Sequence, residues 1–157
     1  PAIQMGTLSK AAGSYGGYVS GSQALIDYIK TAARSLIYST ALPSSVCAAS
    51  LAAVRIMQVE PQLGQKALAN AKHFTALLGL PEARSAIVPV IVKENDRALE
   101  LASKLEEKGF LVAAIRPPTV PENTARLRFA FSALHEESHV EAVAALLKEE
   151  GLPLCES

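Results

Sequence analysis

The chain has 157 residues, enough for one domain or for one domain and a piece of another. Half of the residues are hydrophobic, 19% are charged, and 15 basic side chains balance 15 acidic ones, an ordinary composition for a globular protein. The balanced charge leaves no footprint of a nucleic acid or an anionic membrane as partner, and no apolar run approaches the roughly 18 residues of a membrane span.

In chain order, Ile3 to Thr7 reads as the end of a strand. Thr7 to Gly17, with glycines at 13, 16 and 17, reads as a loop, and Tyr18 to Ser20 as the start of a second short strand. Ser22 is placed to cap a helix in which Leu25, Ile29, Ala32, Ala33 and Leu36 recur at helical spacing. Leu42 and Pro43 interrupt that pattern. Ser44 or Ser45 is then expected to cap an alanine-rich helix through Met57, whose small side chains suit a tight helix interface. Pro61 fits the first turn of a further helix or a kink, and Gly79 to Pro81 ends that helix.

Beyond this point the texture changes. Ala86 to Val92 is a nearly unbroken apolar strand. Asp96 is expected to cap a helix carrying Ala98, Leu101, Ala102 and Leu105 on one face, and Gly109 to close it. Phe110 to Ile115 reads as a strand ended by Pro117 and Pro118. Ala125 to Ser132 alternates, with Leu127, Phe129 and Phe131 on one side and Arg126 and Arg128 on the other. The last helix aligns Val140, Val143, Ala144 and Leu147. The order β-α-β-β-α predicts an α+β unit, a small sheet covered by two helices, with its boundary near Glu60.

Few other residues bear chemistry. Cys47 and Cys155 belong to no metal-ligand spacing, so a reducing, cytoplasmic compartment is the default. His73 is expected on the surface. His135 and His139 share a helix face but find no third ligand, so no metal is expected. Glu136, Glu137, Glu149 and Glu150 read as solvated helix ends. The chain opens on Pro1, immediately ahead of its most specific segment, as expected of part of a longer protein.

That segment is Met5 to Tyr18. A lysine stands after a strand, with Thr7 and Ser9 before it and a glycine-rich loop after it. A lysine that condenses with an aldehyde must be held close to it and partly desolvated, so that the amine is not always protonated. Neighbouring hydroxyls donate to a phosphate, and glycines let backbone approach closely. On these residues alone, an ordinary solvated lysine in a Gly/Ser loop competes with that reading.

GTLSKAAGSYGGY (Gly6 to Tyr18) resembles the lysine segment of the α-oxoamine synthases, fold-type I enzymes dependent on pyridoxal phosphate (PLP). The resemblance continues in ARSLIYSTALP (Ala33 to Pro43) and AIRPPTVPENTARLRFAFSALHEE (Ala114 to Glu137), in the family's order. It implies an α/β fold: residues 1–60 finish the large PLP-binding domain and residues 61–157 form an α+β small domain. Lys10 matches the lysine that binds the cofactor covalently and moves the Cα proton. Thr7 matches a hydroxyl on the cofactor phosphate. Ser39 and Thr40 match hydroxyls that reach the phosphate in the neighbouring subunit of a homodimer with a shared site, and Tyr38 matches a residue near the thioester. Arg128 matches the arginine that holds the amino-acid carboxylate, and Arg116 a second arginine that approaches it. Arg126 is expected at the rim.

The Arg-Pro-Pro wording resembles the branch of the family that condenses L-alanine with a pimeloyl thioester, on CoA or a carrier protein, to 8-amino-7-oxononanoate, a biotin precursor. A sister synthase such as a glycine C-acetyltransferase, and a non-catalytic interaction module on the same fold, are the alternatives. By the same resemblance the residues that stack on and pair with the cofactor ring lie upstream of the lysine, so the chain by itself is expected to be inactive.

Overall fold

The β1–β2 hairpin, Gln4–Thr7 against Gly17–Ser20, is the first element of the computed structural model, which describes residues 3–152. Pro1 and Cys155 fall outside the described residues. The chain packs as two compact units, Pro1–Pro61 and Gln62–Ser157. No helix among the described residues is long and apolar enough to cross a membrane.

In the first unit the hairpin is followed by α1 (Gln23–Ala32), α2 (Arg34–Ile37) and α3 (Ser44–Val59). Ser22 caps α1 as its sequence predicts, its Oγ accepting from the Leu25 amide at 3.4 Å. The expected single helix through Leu36 is instead broken at Ala33, which takes an extended conformation (φ −78°, ψ 99°). Two residues earlier, the Thr31 hydroxyl lies within hydrogen-bond distance of the Asp27 and Tyr28 carbonyls, competing with the helix ladder where it ends. The α3 cap also differs from expectation. Pro43, not Ser44 or Ser45, occupies the cap position, and its carbonyl accepts from the Val46 and Cys47 amides. A φ of −56° suits a proline at that entry. The small side chains of α3 do not form a buried interface in this chain: no α3 residue is fully buried, and Leu51, Ile56 and Met57 are exposed.

In the second unit α4 (Gln62–Leu77), β3 (Ile87–Lys93), α5 (Asn95–Glu107), β4 (Ala113–Ile115), β5 (Ala125–Ala130) and α6 (Glu137–Glu149) follow in order. The sheet is antiparallel with order β3-β5-β4, so β5 is central. Its alternation works as predicted: Ala125, Leu127 and Phe129 are buried while Arg128 and Ala130 are exposed. Pro89 interrupts no ladder because β3 is an edge strand. Leu101, Leu105, Val140, Val143 and Leu147 pack against the inner face. The core draws on three helices rather than two. Phe74 of α4 is fully buried, its ring centroid 4.7 Å from that of Phe129 and 5.1 Å from that of Phe131.

Several local expectations for this unit are corrected. Glu94, not Asp96, occupies the α5 cap position, without a side-chain bond, and Asp96 lies in the first turn, where its charge suits the helix dipole. The strand expected from Phe110 shrinks to Ala113–Ile115. The Phe110 amide donates to the Leu105 carbonyl and the Gly109 amide to that of Glu106, a Schellman pattern that commits Phe110 to the helix end. His73 is half-buried rather than fully exposed: its side chain is 34% exposed, and Nε2 is shielded from solvent without a hydrogen-bond partner, 3.7 and 3.8 Å from Glu137 and Glu141. Glu150 is half-buried and paired rather than freely solvated. It accepts from Lys104 at 2.8 Å and from Arg97 at 3.2 Å, joining the end of α6 to α5.

Candidate active-site residues

Lys10 stands on the loop that joins β1 to β2. Three backbone bonds close that loop: Leu8 N–H to Gly16 O at 2.9 Å, Ser14 N–H to Leu8 O at 2.9 Å, and Gly13 N–H to Lys10 O at 2.8 Å. Lys10 therefore opens a β-turn, and Gly13 completes it at φ +58°, a conformation that favours glycine. Gly16 is also left-handed (φ +92°), and a Cβ there would lie 2.8 Å from Leu42 Cδ1. The backbone on either side of the lysine is thus fixed, while Lys10 itself is exposed.

The hydroxyls beside Lys10 are engaged with the loop. Thr7 Oγ1 lies 2.7 Å from Ser9 Oγ and 3.2 Å from the Gly16 carbonyl, and accepts from the Ser9 amide at 3.3 Å. Farther along, the Ser14 hydroxyl reaches α3, 3.2 Å from the Val46 carbonyl and 2.7 Å from Ser50 Oγ. Sequence reading does not find the Ser14–Ser50 pair. The partners are 36 residues apart, and neither carries a local signal.

Tyr38, Ser39 and Thr40 follow α2 and are exposed. The Arg34 guanidinium lies 5.9 Å from the Tyr38 ring centroid, a cation–π contact at the outer limit of that interaction. Ser39 donates its hydroxyl proton to the Ser35 carbonyl.

Arg116 and Arg128 belong to the second unit. Arg128 sits mid-strand on β5, opposite Pro89 of β3 and Ala113 of β4, and these small neighbours leave its side chain exposed. Arg126 is half-buried and turns back on its own strand, with Nε donating to the Thr124 carbonyl at 3.0 Å and a terminal nitrogen to Thr124 Oγ1 at 2.9 Å. That placement suits a rim residue. Arg116 follows β4 directly and is exposed; its carbonyl accepts from the Thr119 amide at 3.0 Å. Because Ile115 pairs with Arg126, Arg116 lies one residue past the ladder. Strand register alone does not bring it beside Arg128; the turn at 116–119 sets its direction. Among the described residues Arg116 joins no ion pair.

Comparison with known proteins places this geometry in context. A family model described as aminotransferase class I and II matches residues 1–147. The 8-amino-7-oxononanoate synthase of Methylobacterium nodulans is 57% identical over 149 residues, covering 95% of this chain and 39% of that relative. A solved structure of a serine palmitoyltransferase with PLP superposes with a TM-score of 0.87 at 26% identity, over 97% of this chain and 40% of that one. The 8-amino-7-oxononanoate synthase of Francisella tularensis superposes at 0.81 with 24% identity, over 95% of this chain and 45% of that one. The chain spans about two fifths of the length of the curated relatives it matches. The fold is the expected one, that of the fold-type I PLP-dependent transferases. A family model that runs through both units, from the lysine hairpin into α6, establishes the kinship: the chain belongs to the aminotransferase class I and II family.

Proposed function

We propose that the full-length protein carrying this chain is a PLP-dependent acyltransferase that condenses L-alanine with a pimeloyl thioester, with loss of carbon dioxide, to give 8-amino-7-oxononanoate. The observation that carries this reading is the 57% identity to an 8-amino-7-oxononanoate synthase across 149 residues that include Lys10, Arg116 and Arg128. In this reading residues 1–60 complete the cofactor domain and residues 61–157 form the small domain of a cytoplasmic homodimer with a shared active site.

The lysine loop fits PLP. An amine stands at the start of a glycine-closed turn with the hydroxyls of Thr7 and Ser9 close in sequence, a nucleophile for an aldehyde beside donors for a phosphate. Lys10 is exposed in this chain, and in this reading the rest of the full-length homodimer desolvates it. Bound PLP supplies an electron sink that acidifies the amino-acid Cα–H. The protein's residues do the rest. Lys10 Nζ removes and returns the Cα proton, and its fixed backbone limits where that nitrogen travels. Arg128 presents a planar pair of donors to the alanine carboxylate, and Arg116, aimed by the turn before Thr119, provides a second guanidinium. Thr7 offers its hydroxyl to the phosphate by turning away from Gly16 or Ser9, while Ser39, by turning away from Ser35, and Thr40 offer theirs to the phosphate in the neighbouring subunit. Tyr38, exposed beyond α2, offers an aromatic surface to the thioester.

Two assays on the full-length protein test this reading. Turnover of L-alanine with pimeloyl-CoA is expected to exceed that of glycine with acetyl-CoA; the reverse preference makes it a sister synthase. Borohydride reduction is expected to fix the cofactor to the wild type and not to Lys10→Ala. Covalent retention by that variant would refute the lysine assignment. Lys10→Ala is further expected to lower the rate by about 10²–10⁴-fold. Arg128→Ala should raise the KM for L-alanine by roughly 10- to 150-fold, since a charge-assisted hydrogen bond contributes about 1.5–3 kcal/mol.

A further inference from the structure

We infer that Ser50 of α3 is a positioning residue for Lys10, acting through Ser14. The inference rests on the lysine assignment above.

The route is short. The Ser14 hydroxyl carries a single proton. When it donates to the Val46 carbonyl at 3.2 Å, its oxygen is left to accept from Ser50 across 2.7 Å. Val46 and Ser50 are one helical turn apart, so Ser14 is held on a single face of α3. Ser14 is itself fixed to the base of the loop, its amide donating to the Leu8 carbonyl. The Lys10–Gly13 turn lies between those two points and has no slack of its own, because the Lys10 carbonyl is taken by the Gly13 amide. A hairpin crest joined only to its own strands would rock about them. The serine pair joins this one to a 16-residue helix, and Leu42 packed against Gly16 adds a second, apolar stop. Ser14 and Ser50 are both half-buried, which shields the 2.7 Å bond from competing water.

Orientation rather than affinity is what such a tether controls. Loss of the Ser50 hydroxyl leaves the amino-acid site intact and widens the range of positions open to Lys10 Nζ, so proton transfer slows while binding holds.

Hydrogen–deuterium exchange on the full-length protein without cofactor tests the mechanical step, and steady-state kinetics with cofactor the chemical one. Ser50→Ala is expected to speed exchange of amides 8–17 by roughly three- to tenfold, the worth of one hydrogen bond. It should lower kcat by a similar factor and leave the KM for the amino acid within about twofold. Ser50→Thr, which keeps the hydroxyl, should restore both. Unchanged exchange in Ser50→Ala overturns the inference, and so does faster exchange with unaltered kcat. Should Ser50→Ala fail to fold, Ser14→Ala, placed in the loop rather than the helix, answers the same question. A wrong lysine assignment shows up separately, as cofactor still trapped by borohydride in Lys10→Ala.

Discussion

At Gly109 the backbone turns to φ +88°, and a Cβ added there would meet nothing within 4 Å. The cost of a side chain at this position is therefore conformational alone. Gly109→Ala should destabilise the protein by about 1–2 kcal/mol, read as a lower urea midpoint with an unchanged slope. Gly16 is also left-handed, but its Cβ would strike Leu42, so Gly16→Ala should cost more than Gly109→Ala. Residues of this kind were legible in the sequence, because a glycine stop acts over a few neighbours. Pairings across distance were not. Ser14 finds Ser50 only after the chain has folded back, and His73 meets Glu137 and Glu141 only once α4 lies beside α6. The choice of Glu94 over Asp96 at the start of α5 escaped for a different reason. The cap there makes no side-chain bond, so the usual preference for a short acceptor has nothing to act on.

Among the elements, α5 and α6 were read well because their apolar residues fall on one stripe; Leu101, Leu105, Val140 and Leu147 are all buried as that stripe requires. The role of α4 in the core was harder to see. Its buried Ala71, Phe74 and Thr75 sit among Lys72, His73 and Ala76, and the stripe has little contrast. Phe74 nevertheless joins two aromatic residues, one from β5 and one just beyond it. Phe74→Ala should cost about 3–5 kcal/mol in unfolding free energy, with loss of the near-ultraviolet signal of the aromatic cluster well below the wild-type melting temperature. In the first unit the elements were legible but their packing was not, since Leu36, Ile37, Leu51 and Met57 remain exposed in this chain.

For the molecule as a whole, the ion pairs within α5 and between α5 and the end of α6 contribute to the response to acid. Lys104, and then Arg97, hold the Glu100 carboxyl below its ordinary value of 4.5, and Lys104 does the same for Glu150. A carboxyl depressed in the folded state stabilises above its unfolded pKa and loses that stabilisation as pH falls through the folded one. The melting temperature should therefore drop as pH is lowered below about 4.5. Glu150→Gln should flatten that drop, and so should high salt, because these pairs are close to solvent.

The pleat of β5 carries a last consequence. Leu127 and Phe129 face inward while Arg128 faces outward, and a slip of one residue in pairing with β3 would exchange the two sides wholesale. Hydrocarbon would then meet water and a guanidinium would enter the core. Insertions and deletions within the strand are thus not tolerated, and whatever anion the outer side greets depends on the same register that keeps the interior dry.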